Sequence, residues 1–204
     1  MGKNSAGVRG GLQPGDFDYK GKVPSKTYAL ASIKEPDVYR EVKSAVSRYE
    51  AVLGVRQRSV RLADLPQGYL GVHMTKVDTG TSSRILLNRK HFNQKRGDIE
   101  ATTRKGYESG WSTKTNKPIA HTVTHELAHA TWNTHLKSPN ARAAAPRIQR
   151  VYKQWQKDKK SRRYGKYAHT NINEFFAETV TKGIHGKSDK YTNALINIIK
   201  AYKL

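Results

Sequence analysis

The stretch His121-Thr122-Val123-Thr124-His125-Glu126-Leu127-Ala128-His129-Ala130 contains His-Glu-x-x-His at residues 125 to 129. On a helix, His125 and His129 sit four residues apart and project from one face. Two imidazoles so placed can share one Zn²⁺, and Glu126 is then positioned to take a proton from a zinc-bound water. The neighbouring residues predict that helix. Asn116 or Thr115 can cap it, Pro118 suits its first turn, and Ile119, Val123, Leu127 and Ala130 form an apolar stripe. Two surface histidines on an ordinary helix would give the same five residues, so the reading turns on a third ligand.

Three residues compete for that place. His135 completes His125-Glu-x-x-His129-x-x-Trp132-x-x-His135, the spacing of the metzincin peptidases. That pattern needs glycine where this chain has Trp132, because the helix must end in a left-handed turn. It also needs a downstream methionine, and the only methionines are Met1 and Met74. Glu174, in Asn173-Glu174-Phe-Phe-Ala-Glu178, lies on its own predicted helix, and a carboxylate from a second helix completes the His₂Glu set of gluzincins. Glu178, one turn further on the same face, can accept the ring N–H of His125 or His129 and fix its tautomer. His169 precedes that helix in a polar stretch and is the weakest of the three. His121 falls on the ligand face, but a fourth protein ligand would close the position that water needs, which leaves it a supporting or surface role.

With both segments in view, Tyr167-Ala-His-Thr-Asn-Ile-Asn-Glu174-Phe-Phe-Ala-Glu178 paired with His125-Glu-Leu-Ala-His129 resembles the catalytic domain of the anthrax lethal factor-like metallopeptidases. The resemblance covers residues from about 84 to 180 and implies a zincin-like peptidase domain holding one Zn²⁺ per chain. It implies that Glu174 is the third ligand and that Tyr167 gives its hydroxyl to the transition state, with Tyr164 as the local rival. It further implies a protein or peptide substrate, and a context such as a bacterial toxin or a phage head protein.

Composition sets outer limits. The chain has 204 residues and no cysteine, which excludes disulfide frameworks, thiolate nucleophiles and Cys-based zinc fingers. Mean hydropathy is −0.79. No apolar run reaches membrane-spanning length and the N-terminus lacks the apolar centre of a signal peptide. The expected setting is therefore cytoplasmic, or delivery and packaging by a non-classical route, including a virion.

Along the chain, residues 1–34 read as a flexible basic arm and 35–204 as the peptidase domain. Val38, Val42, Ala45, Tyr49 and Val52 predict a helix from Pro36-Asp37 that Gly54 stops. Strands are predicted at 59–62 and 71–77. A turn at Asp78-Thr79-Gly80-Thr81 would join the second to a hairpin partner at 84–88, the expected upper rim of the cleft and the strand to which substrate would add. Residues 93–117 read as a long polar loop with Trp111 as its one large apolar group. Helices follow at Pro146 onward (Ile148, Val151, Tyr152, Trp155), at 174–182 ended by Gly183, and around 191–202. A small N-terminal sheet, an active-site helix and C-terminal helices make the class α+β.

The charge is lopsided, with 38 Lys and Arg against 16 Asp and Glu, a net +22. From Arg142 to Lys166 there are ten basic residues and one acid, Asp158. Lys157, Lys159, Lys160, Arg162 and Arg163 are the candidate contacts for nucleic acid or an acidic protein partner. Tyr152, Trp155 and Tyr164 are interleaved with them and would either stack on bases or fill the core. The rival to a peptidase is accordingly a basic nucleic-acid-associated protein, such as a phage particle or packaging component, with a structural or vestigial zinc site.

Overall fold

The computed structural model describes residues 12–14, 19, 21–55, 59–76, 82–135 and 138–204. The predicted turn at 78–81 lies outside them. Among the described residues the class is α+β, with seven α-helices and one mixed five-stranded sheet.

Helix α1 (Pro36–Leu53) forms where the apolar spacing predicts it. It buries Val38, Val42, Ala45, Tyr49 and Leu53, and Gly54 ends it at a left-handed φ of 69°. Strand β3 (Val60–Ala63) leads to a hairpin of β4 (Gly71–Lys76) and β5 (Ser82–Asn88). The two short strands β1 (Leu12–Pro14) and β2 (Thr27–Tyr28) complete the sheet in the order β1-β4-β5-β3-β2. All pairs are antiparallel except β3 with β5. Within the stretch read as an arm, the described pieces add a strand at each edge of the sheet, and Tyr19 is buried in a cluster with Val72, Met74 and Leu86 on the sheet's outer face.

The position of β5 corrects one expectation. It lies between β4 and β3 with both edges paired, so no substrate strand can add to it. The hairpin alone could not show this, because the parallel partner β3 comes from earlier in the chain. The inner face of the sheet carries Leu62, Ile85 and Leu87 into the main core. Register puts Gly71 opposite Leu87 and His73 opposite Ile85, so these β4 residues share that face.

Helix α2 (Arg89–Phe92) is a single turn after β5. The stretch expected to be a loop contains α3 (Arg96–Glu108). It escaped the periodicity reading because it buries only Ile99 and Thr103. Ion pairs hold it instead: Arg96 meets Glu41 at 2.7 Å and Glu100 at 2.8 Å, and Arg104 meets Glu100 at 2.8 Å. Helix α4 (Pro118–His135) starts at its proline, and the Thr115 hydroxyl is paired with Tyr107 (2.8 Å). It touches α1, α3, α5, α6, β4 and β5, and every residue from 121 to 132 is buried.

Helix α5 (Pro139–Lys157) begins seven residues before the predicted start, capped by Ser138, and carries Pro146 in its interior. After 3-10 turns at Lys159–Arg163 and Lys166–His169 come α6 (Ile172–His185) and α7 (Lys190–Tyr202). Gly183 lies within α6, which ends before Gly186. No helix among the described residues is long and apolar enough to cross a membrane.

Candidate metal centre

A helix buried on all sides must find a partner for each polar side chain it carries. On α4, Thr131 meets the Tyr49 hydroxyl at 2.7 Å and Thr124 meets His185 Nε2 at 2.8 Å. The histidines turn to α6. Asn171 caps that helix by accepting from the N–H groups of Asn173 and Glu174, both at 2.9 Å. Residues 174–181 are buried, and Glu174 and Glu178, one turn apart, face α4.

The result is a convergent triad. Glu174 Oε2 lies 3.1 Å from His125 Nε2 and 3.2 Å from His129 Nε2, and the two ring nitrogens are 3.0 Å apart. On the far side of the His125 ring, Nδ1 is 3.0 Å from Glu178 Oε1. A carboxylate only accepts, so Nδ1 carries a proton and donates, and it is Nε2 that faces the triad and would offer its lone pair to a metal that displaces the proton held there. Three potential metal ligands therefore converge on one point. A zinc ion at about 2.0–2.1 Å from each donor in tetrahedral geometry holds them roughly 3.3–3.4 Å apart. The three atoms need to part by only a few tenths of an ångström, and these buried His and Glu groups can hold a metal ion.

The local field favours positive charge. Burial opposes charge on His125, but hydrogen bonds and charge from Glu174 and Glu178 outweigh it and raise its pKa well above the ordinary value. Burial likewise opposes the Glu174 carboxylate, yet His125 and His129 pull its pKa down to about 2. Glu178 is held below the usual carboxylate range in the same way, against burial, by His121 and His125. His121 Nε2 is 3.3 Å from Glu178 Oε1, which gives it the supporting place rather than a surface one.

Glu126 points into a cleft of about 450 Å³ that it shares with Tyr69, Gly71, Trp111, His125 and Tyr167. It rests against β4: a Cβ on Gly71 would come within 2.6 Å of Glu126 Cγ. Tyr167 stacks on His125 with ring centroids 5.5 Å apart and planes 10° apart. Tyr164, the rival, is elsewhere. Its hydroxyl donates to Asp189 at 2.8 Å, and burial followed by the Asp189 charge pushes its pKa far up. His169 also lies away from the triad, with its ring against Trp155 and Nε2 3.2 Å from Ser161 O. The His135 side chain lies outside the described residues. A larger cavity of about 650 Å³ opens beside α1 and the end of α6, but its lining of mixed charges includes none of the triad.

Five residues with no role in the site assigned from the sequence build its rim. Thr113 N–H donates to Glu178 Oε2 at 2.6 Å, so the loop before α4 fixes the carboxylate that fixes His125. Gly110 and Trp111 accept from the N–H groups of Lys166 and Tyr167 at 2.8 and 2.9 Å. Gly165 makes that docking close enough, and Gly71 makes room for Glu126. Only the lone Trp111 in its polar stretch was a visible signal.

Lys157, Lys159, Lys160, Arg162 and Arg163 are all exposed. The aromatics among them are not a stacking surface. Trp155 is fully buried, Tyr164 is buried, and Tyr152 packs on Trp155 and Phe175 in the core. Compared with known families, with curated proteins and with solved structures, the chain shows no significant match to any.

Proposed function

We propose that this chain is a zinc-dependent endopeptidase of zincin type, with the gluzincin ligand set and Glu126 as its general base. The observation that carries the reading is the pairing of a His₂Glu triad with a separate buried carboxylate in an adjoining cleft. A purely structural metal site has no use for Glu126. Zinc held by His125, His129 and Glu174 would supply Lewis acidity to a water and to the scissile carbonyl. Glu126 takes the proton of the attacking water and passes it to the leaving amine. Tyr167 donates its hydroxyl to the carbonyl oxygen as charge develops there. Glu178 keeps His125 in the tautomer that offers Nε2.

The strand that lines the cleft is β4. Gly71 at the start of β4 backs the Glu126 side chain, so this strand forms the wall of the cleft on that side. The test is metal analysis with peptide cleavage. Native protein should hold about one zinc per chain and cleave a peptide library. Glu174→Ala should lose the metal, whereas Glu126→Gln should keep metal and fold but lose cleavage. Zinc retained in Glu174→Ala, or cleavage persisting in Glu126→Gln at a comparable rate, would overturn the assignment.

A second reading, association with nucleic acid, is favoured by one observation: the five basic side chains of the 157–163 segment all face solvent. Without exposed aromatics among them, such binding would run through phosphates alone.

A further inference from the structure

A cavity of about 280 Å³ that shares no lining residue with the triad or its cleft lies between two segments, the 3-10 turn Lys159–Arg163 and the connection from α6 to α7. Five cations line it: Lys160 and Arg163 from the turn, Lys182 from α6, and Lys187 and Lys190 from the connection and the start of α7. The one acid in the lining, Asp189, is spent within the wall. It accepts from Lys182 Nζ at 2.5 Å, from the Tyr164 hydroxyl at 2.8 Å and from the N–H groups of Tyr191 and Thr192. Asp158, just outside the lining, takes Lys190 Nζ and the Tyr191 hydroxyl, both at 2.7 Å.

The two acids thus brace the walls and answer two of the five cations. Lys160, Arg163 and Lys187 are exposed, and no acid among the described residues pairs with them. Like charges gathered round one concavity repel, and an anion seated between them turns that cost into attraction. The lining narrows the choice of anion. Ammonium and guanidinium groups only donate, and they suit a group that offers several charged acceptor oxygens, as phosphate does. The volume falls below the roughly 300–1,000 Å³ of sites for drug-sized ligands. The one ring in the lining, Tyr191, is buried with its hydroxyl held by Asp158, so it gives a nucleic-acid base nothing to stack on.

We infer that this cavity is a binding site for a compact polyphosphate, a di- or triphosphate group that is either free or carried by a nucleotide. The site stands apart from the peptidase reading. It also differs from phosphate contacts spread along a nucleic-acid strand, because it needs both walls at once. An anion held there ties the turn before Tyr164 to the start of α7, so its binding stabilises the folded chain.

The experiment is calorimetry and thermal melting of the whole chain at fixed ionic strength, with tripolyphosphate, ATP and orthophosphate. Tripolyphosphate should bind at one site per chain, roughly tenfold or more tighter than orthophosphate, and raise Tm. Arg163→Gln and Lys187→Gln, one on each wall, should each weaken it roughly tenfold. Arg150→Gln combined with Lys153→Gln, on the exposed face of α5, should leave it unchanged. Equal affinity for ATP would make the ligand a nucleotide's triphosphate, and weaker affinity for ATP would make it the free anion. Zinc extraction by the phosphates would appear alike in every variant, so heats that no pocket variant alters overturn the inference. Several weak sites, or an equal loss in the α5 pair, would show that only net charge acts and would overturn it too. So would a DNA oligonucleotide that displaces tripolyphosphate at lower phosphate concentration, which would give the cavity to nucleic acid.

Discussion

Tyr164 and Tyr167 carry the same phenol three positions apart, and their surroundings give them different work. The Tyr164 hydroxyl is committed to Asp189, which also caps α7 by accepting from Tyr191 and Thr192. Its ring packs edge-on against Trp155. Tyr167 instead lines the cleft with Glu126. On the peptidase reading, Tyr167→Phe should lower kcat by roughly tenfold to a thousandfold with little change in KM, because the hydroxyl would act on charge that exists mainly in the transition state. Tyr164→Phe should leave kcat near native and lower stability by about 1–3 kcal/mol, since it leaves a part-buried carboxylate short of a donor. Steady-state kinetics and denaturant melts on the two variants separate these outcomes. A silent Tyr167→Phe with an inactive Tyr164→Phe would reverse the assignment.

At the level of elements, the site is two helices clamped by a loop, and the helices were legible while the clamp was not. His125, His129, Glu174 and Glu178 announce themselves because helical spacing converts sequence offset directly into a shared face. The contact between α4 and α6 needed only that each bury its apolar side. Helix α3 was illegible because charge pairs rather than an apolar stripe hold it. Strand β5 reads as an open rim in the sequence because strand pattern fixes which face is buried but not which neighbour pairs. The docking of Gly110–Thr113 on Gly165–Tyr167 depends on backbone groups, which every residue possesses. Gly165 has φ −63° and ψ 156°, a conformation open to any residue, so glycine is needed there for room alone. Gly165→Ala would place a methyl 2.3–2.6 Å from the backbone of Trp111, Ser112 and Thr113. It should cost about 1–3 kcal/mol by overpacking. It should also weaken zinc affinity, because the loop that moves carries the N–H bonded to Glu178. Competitive chelation and denaturant melts measure both, and unchanged zinc affinity would show that the clamp does not reach the metal.

For the whole molecule the dominant quantity is charge. A net +22 on 204 residues leaves most basic side chains without an acidic partner. Binding to DNA or RNA should then be non-specific and fall steeply with salt, as each neutralised phosphate releases counterions. Reversing Lys157, Lys159, Lys160, Arg162 and Arg163 to Glu should flatten the salt dependence while zinc content stays at the native level. Gel shifts across a salt series test it, and absence of binding even at low salt would assign the charge to an acidic protein partner or to solubility. One further property follows from the burial of α4 from 121 to 132. The helix that presents the ligands is also the one around which the core closes, so the triad cannot loosen locally without cost to the entire fold. Metal affinity and global stability are then linked, and any ion that binds the folded chain but not the unfolded one raises the free energy of global unfolding. What the cleft accepts can vary at its margin, where Trp111 stands exposed, without disturbing the axis of the molecule.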